Sequence, residues 1–122
     1  MIDVVRKILA TLNYIWEYCC IRKIIEPEKI IYGNDKQQYF LYYEPVNLQS
    51  DKVILYIHGG GWNAGSPEFF DFVGQRFAQE GYRFICGYRL SPKCKYSCQI
   101  EDVINCFDSY MRFLDKRAID DL

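Results

Sequence analysis

The stretch Val53–Trp62 constrains the fold more tightly than any other part of the chain. Val53-Ile54-Leu55-Tyr56-Ile57 is apolar and β-prone, and it opens directly into His58-Gly59-Gly60-Gly61-Trp62. A short apolar run stopped by glycine reads as a buried strand, with a loop where the strand ends. Ser66-Pro67-Glu68 follows as a helix start: a capping residue, proline at the first helical position and an acid in the first turn. Phe69, Phe70, Val73, Phe77 and Ala78 mark the apolar face of that helix, and Gly81 ends it. Tyr82–Tyr88 is then a second apolar strand. Strand, helix and strand at this spacing form a βαβ unit, so the two strands are expected to be parallel with a right-handed crossover.

The flanking segments extend this core on both sides. Glu28–Tyr32 and Gln38–Glu44 read as short strands joined across Gly33-Asn34-Asp35, an antiparallel hairpin stopped by Pro45. Asn47–Lys52 is a polar loop, and Arg89–Tyr96 a second loop around Pro92. The spacing predicts a final helix from about Ser97 to Lys116, with Ile100, Val103, Ile104, Phe107, Tyr110, Met111 and Leu114 inward. At the other end, Val5, Ile8, Leu9, Leu12, Ile15, Trp16 and Cys19 recur at helical spacing. The apolar run Ile8–Ile21 is shorter than the ~20 residues a bilayer span needs, and Asn13 and Glu17 interrupt it. An amphipathic helix packed on protein is therefore expected, closed by Pro27, and membrane contact is not. The chain divides into residues 1–26, the N-terminal helix, and residues 27–122, an α/β core.

Charge and cysteine usage remove several function classes. A formal net charge of -1, with basic residues scattered among acids, gives no footprint for nucleic acid. The six cysteines (19, 20, 86, 94, 98 and 106) contain no C-x-x-C pair, and His58 is the single histidine. A zinc site would have to be almost all thiolate, from Cys94, Cys98 and Cys106, and is not favoured. With no secretory signature, reduced thiols in a cytoplasmic protein are expected, Cys94 and Cys98 among them.

The glycine triplet alone fits two readings, a plain turn after a strand or a loop that presents its own N–H groups. His58 before it and Trp62 after it favour the second. His58-Gly59-Gly60-Gly61-Trp62 resembles the HGGG-type oxyanion loop of α/β-hydrolase esterases and lipases. Two further motifs are in order behind it. Tyr88-Arg89-Leu90-Ser91-Pro92 is similar to the Y-R-L-A-P, and Glu101-Asp102-Val103 to the E-D-V, of the hormone-sensitive-lipase-like group of that superfamily (the alpha/beta hydrolase fold-3 type). Tyr32–Pro45 also resembles the group's first hairpin. The resemblance runs from about Ile30 to Leu114.

Carried over by position, it implies that Gly60 and Gly61 are oxyanion donors through their backbone N–H groups. It implies that His58 braces the loop with Gly59 and is not a catalytic base. Trp62 either packs beside an acyl pocket or fills core. Arg89 and Asp102 fall near a strand end, where an architectural ion pair is the expectation. No metal or cofactor is implied.

The chain departs from the group at the chemistry. It contains no G-x-S-x-G, and no second histidine that could serve as base to a serine or cysteine. Asp120-Asp121-Leu122 reads as a linker toward a further strand. The expectation is a partial α/β-hydrolase sheet of about four strands, order 1-2-4-3, truncated before the nucleophile and without triad-dependent turnover alone. Val53–Ile57 would then be an exposed edge, open to a complementing C-terminal half or to self-association. Ester substrate is expected only in a completed enzyme. A non-catalytic binding module is the alternative.

Overall fold

The computed structural model describes residues 1–20, 23–49, 51–85 and 87–120. In chain order the elements are helix α1 (Ile2–Cys20), strands β1 (Glu28–Ile31), β2 (Tyr39–Tyr42) and β3 (Val53–Leu55), a 3₁₀ turn (Pro67–Phe70), helix α2 (Asp71–Gln79), strand β4 (Arg83–Ile85) and helix α3 (Cys98–Asp120). Cys86, Asp121 and Leu122, which the sequence placed in a strand and a linker, lie outside the described residues.

β1 and β2 pair antiparallel, with Ile30 opposite Phe40, and β3 and β4 pair parallel, with Ile54 opposite Phe84. A bridge between Tyr43 and Phe84 joins the two ladders, so the strands lie in the order β1, β2, β4, β3. This is the partial α/β-hydrolase arrangement expected from the motifs. Among the described residues β3 has a strand neighbour on one side only, and its three residues are half-buried. The described ladder spans Val53–Leu55 against Arg83–Ile85, shorter than the expected Val53–Ile57.

Every residue of β2 is buried, because both faces of the sheet are covered. Successive side chains of a strand point to opposite faces. Tyr39, Leu41 and Tyr43 accordingly pack with Ala78, Phe77 and Phe84 under α2. Phe40 and Tyr42 pack with Cys106, Tyr110 and Phe113 under α3. Edge-to-face aromatic pairs lock each layer, Tyr43 on Phe84 at 5.5 Å and Tyr42 on Phe113 at 5.0 Å. Burying a side chain such as Phe40 stabilises the fold by roughly 1.5–3 kcal/mol.

The helices depart from expectation in informative ways. Ser66 has the extended backbone of a cap but makes no side-chain capping bond, and the first turn after it is 3₁₀. On α3 the buried residues are Gln99, Asp102, Cys106 and Tyr110, while Ile100, Ile104, Phe107 and Met111 are exposed. The expected inward face is thus corrected in part: Tyr110 is buried and Leu114 packs against it as expected, while Ile100, Ile104, Phe107 and Met111 face outward. The helix carries two apolar stripes, and the sheet takes the one that brings Asp102 to Arg89. Helix α1 forms and touches α2, but most of its expected packing face is open: Val5, Ile8, Leu9, Leu12, Ile15 and Trp16 are exposed, Trp16 to 67%. Of the Cys19 side chain nothing is described.

The segment after α1 also differs. The helix stops well before Pro27, and residues 23–27 have no regular structure. The side chain of Gln75, on α2, replaces helical partners there: its Oε1 accepts from the N–H of Ile24 and Ile25, and its Nε2 donates to the Ile25 carbonyl. No helix of the described chain is long and apolar enough to cross a membrane.

Candidate active-site loop

The loop after β3 is positioned by an aromatic stack. His58 is buried, with its ring parallel to Tyr88 at 4.3 Å and Phe70 on the other side at 5.8 Å. The Tyr88 hydroxyl donates to the His58 carbonyl at 2.7 Å, tying the end of β3 to the segment after β4. His58 Nδ1 lies 2.9 Å from the Gly59 carbonyl. A carbonyl can only accept, so Nδ1 carries the proton of the neutral ring. Nε2 is then a bare lone pair, without a partner among the described residues. Burial pushes the imidazole below its ordinary pKa, outweighing the opposing pull of the Gly59 carbonyl and the Glu68 charge. The ring is enclosed between Tyr88 and Phe70.

Backbone geometry explains the glycines. Gly60 and Gly61 have φ of 132° and 62°, and a Cβ on Gly60 would collide with the Ala64 carbonyl. The turn closes when Asn63 and Ala64 donate N–H bonds to the Gly60 carbonyl at 3.3 and 3.1 Å. Among the described residues the N–H groups of Gly60 and Gly61 donate to nothing. The N–H groups of Gly59 and Trp62 likewise have no acceptor among the described residues, so the loop carries a run of free peptide donors.

Trp62 continues the left-handed backbone with φ 65°, a conformation that disfavours any residue with a Cβ. Its carbonyl accepts from the Ser91 N–H at 2.7 Å and from Gln99 Nε2 at 2.9 Å, which hold it there. The indole leans on Tyr88 at 5.1 Å and is 46% exposed, so it does not fill core. It lines an open cavity of about 420 Å³ with Gly61, Ser91, Tyr96, Gln99 and Ile100. Nothing in the residue spacing marks Gln99; a glutamine on the first turn of a helix looks like any solvated residue.

The Arg89–Asp102 pair anchors the other side. Arg89 Nη2 reaches Asp102 Oδ1 at 2.7 Å and Arg89 Nε reaches Oδ2 at 2.8 Å, a two-pronged pair in which the carboxylate is fully buried. The Arg89 backbone N–H and Gln38 Nε2 add bonds at 2.9 and 3.1 Å. Burial pushes the Asp102 carboxyl up, but the bonds from Arg89 and Gln38 more than offset it and hold the group below its ordinary value. The pair joins the loop after β4, the hairpin and α3. It does not line the cavity beside Trp62.

One expectation fails here. Cys94 and Cys98 are not a pair of free thiols but a disulfide, with Cα atoms 5.6 Å apart. The physical reason is backbone shape. Ser97 has φ 73°, which breaks the helix before Cys98 and turns Cys94 back toward it. Sulfurs so joined are not thiolate ligands for zinc. Cys106 is a free, buried thiol, pushed up to about 12 by burial and the Asp102 charge.

With this geometry in place, the comparisons with known proteins are specific. Residues 41–119 match the family model BD-FAE. The chain belongs to the BD-FAE family. This match covers the end of β2, the glycine loop, Arg89 and Asp102 and most of α3, and leaves α1 and β1 outside. The chain is 33% identical over 64 residues to the carboxylesterase NlhH of Mycobacterium tuberculosis, spanning 51% of this chain and 20% of that protein. It is 35% identical over 66 residues to the FAD-linked oxidoreductase pytB of Aspergillus terreus, spanning 52% of this chain but only 8% of that one. The solved structure of the Francisella virulence factor BioJ superposes with a TM-score of 0.70 at 30% identity, over 93% of this chain and 38% of that one. The chain therefore spans little more than a third of the solved relative and a fifth or less of these curated ones. The fold is that of a partial α/β-hydrolase, within an esterase-like hydrolase family.

Proposed function

We propose that Gly60 and Gly61 form the oxyanion-binding wall of a carboxylic-ester hydrolase. The observation that carries this is a glycine turn beside a cavity whose Gly60 and Gly61 N–H groups have no acceptor among the described residues, in a chain of esterase-like family. As an ester carbonyl is attacked, negative charge collects on its oxygen, and fixed peptide donors stabilise that charge more than the neutral ground state. His58, Gly59 and Trp62 hold the wall in shape. The serine nucleophile, acid and histidine base would come from outside these 122 residues, and the 122 residues alone would not turn over ester. No cofactor is needed for such chemistry.

Among the described residues one side of β3 has no strand neighbour, which supports a companion reading: a complementing chain, or a second copy, adds a strand there. If neither supplies a nucleophile, the loop is an anion-binding module and not part of an enzyme.

Titration with methylphosphonate, followed by ¹⁵N chemical shifts, tests the wall. Shifts centred on the Gly60 and Gly61 amides are expected; shifts elsewhere, or none, would overturn the assignment. In parallel, p-nitrophenyl butyrate hydrolysis by the 122-residue chain should be insensitive to a serine-directed phosphonate. Sensitivity would show that a serine within this sequence is a nucleophile after all.

A further inference from the structure

We infer that the Cys94–Cys98 disulfide is a reversible redox clamp on the wall of the cavity beside Trp62. The crosslink closes a small ring whose inner residues are Lys95, Tyr96 and Ser97, and two of these, Lys95 and Tyr96, line the cavity. Ser97 sits in the left-handed region at φ 73°, which residues with a Cβ avoid unless held. Tyr96 is 85% exposed, so packing does not hold this wall. Backbone bonds from Gln99 N–H to the Lys95 carbonyl and from Glu101 N–H to the Ser97 carbonyl, at 3.2 and 2.9 Å, remain when the crosslink opens. The residue after Cys98 is Gln99, whose Nε2 grips the Trp62 carbonyl at 2.9 Å. The disulfide is therefore one residue from the bond that steadies the glycine loop.

The surroundings accommodate both redox states. Cys94 Sγ is buried and lies 4.0 Å from Asp102 Oδ2. In the disulfide it has no hydrogen to donate; as a thiol it can donate S–H to that carboxylate. Cys98 is the half-buried partner, open to attack. A thiolate of a dithiol reductant attacks Cys98 Sγ and forms a mixed disulfide. The S–S bond breaks, its electron pair leaves on Cys94 Sγ, and that sulfur takes a proton. The second thiol of the reductant then displaces Cys98 and closes its own disulfide. Two electrons enter the protein, two thiols result, and the reductant is oxidised by the same two electrons. With the ring open, only the backbone bonds to the Lys95 and Ser97 carbonyls restrain the turn, so Tyr96 gains freedom to move and the grip of Gln99 on Trp62 loosens.

The inference rests on the proposed reading of the glycine loop only in naming what the cavity serves. Its test contains no anion or ester, so the two fail separately. In the 122-residue chain with Trp16→Phe, Trp62 is the sole tryptophan. Peptide mapping of protein alkylated without reductant should recover a 94–98 crosslink. Dithiothreitol should then shift Trp62 emission to the red and raise its quenching by acrylamide, and reoxidation should reverse both. Cys94→Ser/Cys98→Ser should show the reduced emission and ignore dithiothreitol. Cys98→Ala alone should do the same, which guards against a poorly folded double variant. Failure to find the crosslink, identical Trp62 signals in both redox states, or a response that survives in the cysteine variants would each overturn the clamp.

Discussion

The strand ends and the outer helix faces of this molecule are built from similar residues and end in opposite states. Around the glycine loop, aromatic rings and polar groups are mutually engaged: Tyr88 on His58, Gln99 on Trp62, Gln38 and Arg89 on Asp102. On α1 and the outer stripe of α3, leucines, isoleucines, a tryptophan and a phenylalanine stand exposed at perfectly good helical spacing. Periodicity makes a face apolar; it does not supply what covers it. The engaged region carries directional bonds whose loss leaves a buried group stranded. The outer faces carry only area, which costs little to alter while it faces water.

The sharpest way to break this contrast is to strand the Asp102 carboxylate. Arg89→Leu is expected to lower unfolding free energy by about 3–5 kcal/mol, read by urea denaturation. Because Asp102 has a lowered pKa in the folded state, the stability it contributes is present above its unfolded pKa and is lost as pH falls through the folded one. In Arg89→Leu that acid-limb dependence should shrink or reverse. An equal loss from Asp102→Ala with full additivity in the double variant would deny any coupling.

A comparable loss is expected from Phe40→Ala in the buried layer, about 3–5 kcal/mol, whereas Phe107→Ser on the outer stripe should change stability by no more than about 0.5 kcal/mol. If the two cost the same, the outer stripe has a partner in solution, and sedimentation would show it as an oligomer. Gly60→Ala comes next. It sets a side chain against the Ala64 carbonyl in the left-handed region and should cost about 1–3 kcal/mol. Its effect should be confined to the loop amides in ¹⁵N spectra.

The smallest effect is titration of His58. Its folded pKa is depressed, so the unfolded chain binds the proton more readily. Stability is complete above the unfolded value near 6.5 and falls as pH drops from there through the folded value, by at most about 1.4 kcal/mol per pH unit. His58→Asn should flatten that segment of the profile.

Much of this was legible without coordinates, for reasons that differ by element. The βαβ unit followed from a short apolar run, glycine and a proline-initiated helix, all local signals. The hairpin followed from Gly33-Asn34-Asp35, where Gln37 N–H bonds the Asp35 side chain at 2.9 Å. The Arg89 and Asp102 positions were visible through their motifs. Gln38, Gln75 and Gln99 were not, because a glutamine amide serves whatever backbone it happens to meet, and that meeting is made by elements 37 to 64 residues apart. The Cys94–Cys98 disulfide was not legible, because a spacing of four is equally that of two thiols on one helix face. The turn at Ser97 instead places the helix start between them.

By itself, then, the sequence determined the things that depend on neighbours along the chain: which segments are strands, where glycine must yield a left-handed turn, and which family the loop belongs to. Tertiary structure alone decided which of α3's two apolar stripes is core, whether α1 has anything to pack on, and which polar side chains stabilise the glycine loop. The reason is physical. Local propensity is set by a residue's own backbone and a few neighbours, but burial and hydrogen bonding depend on which surfaces the fold brings together.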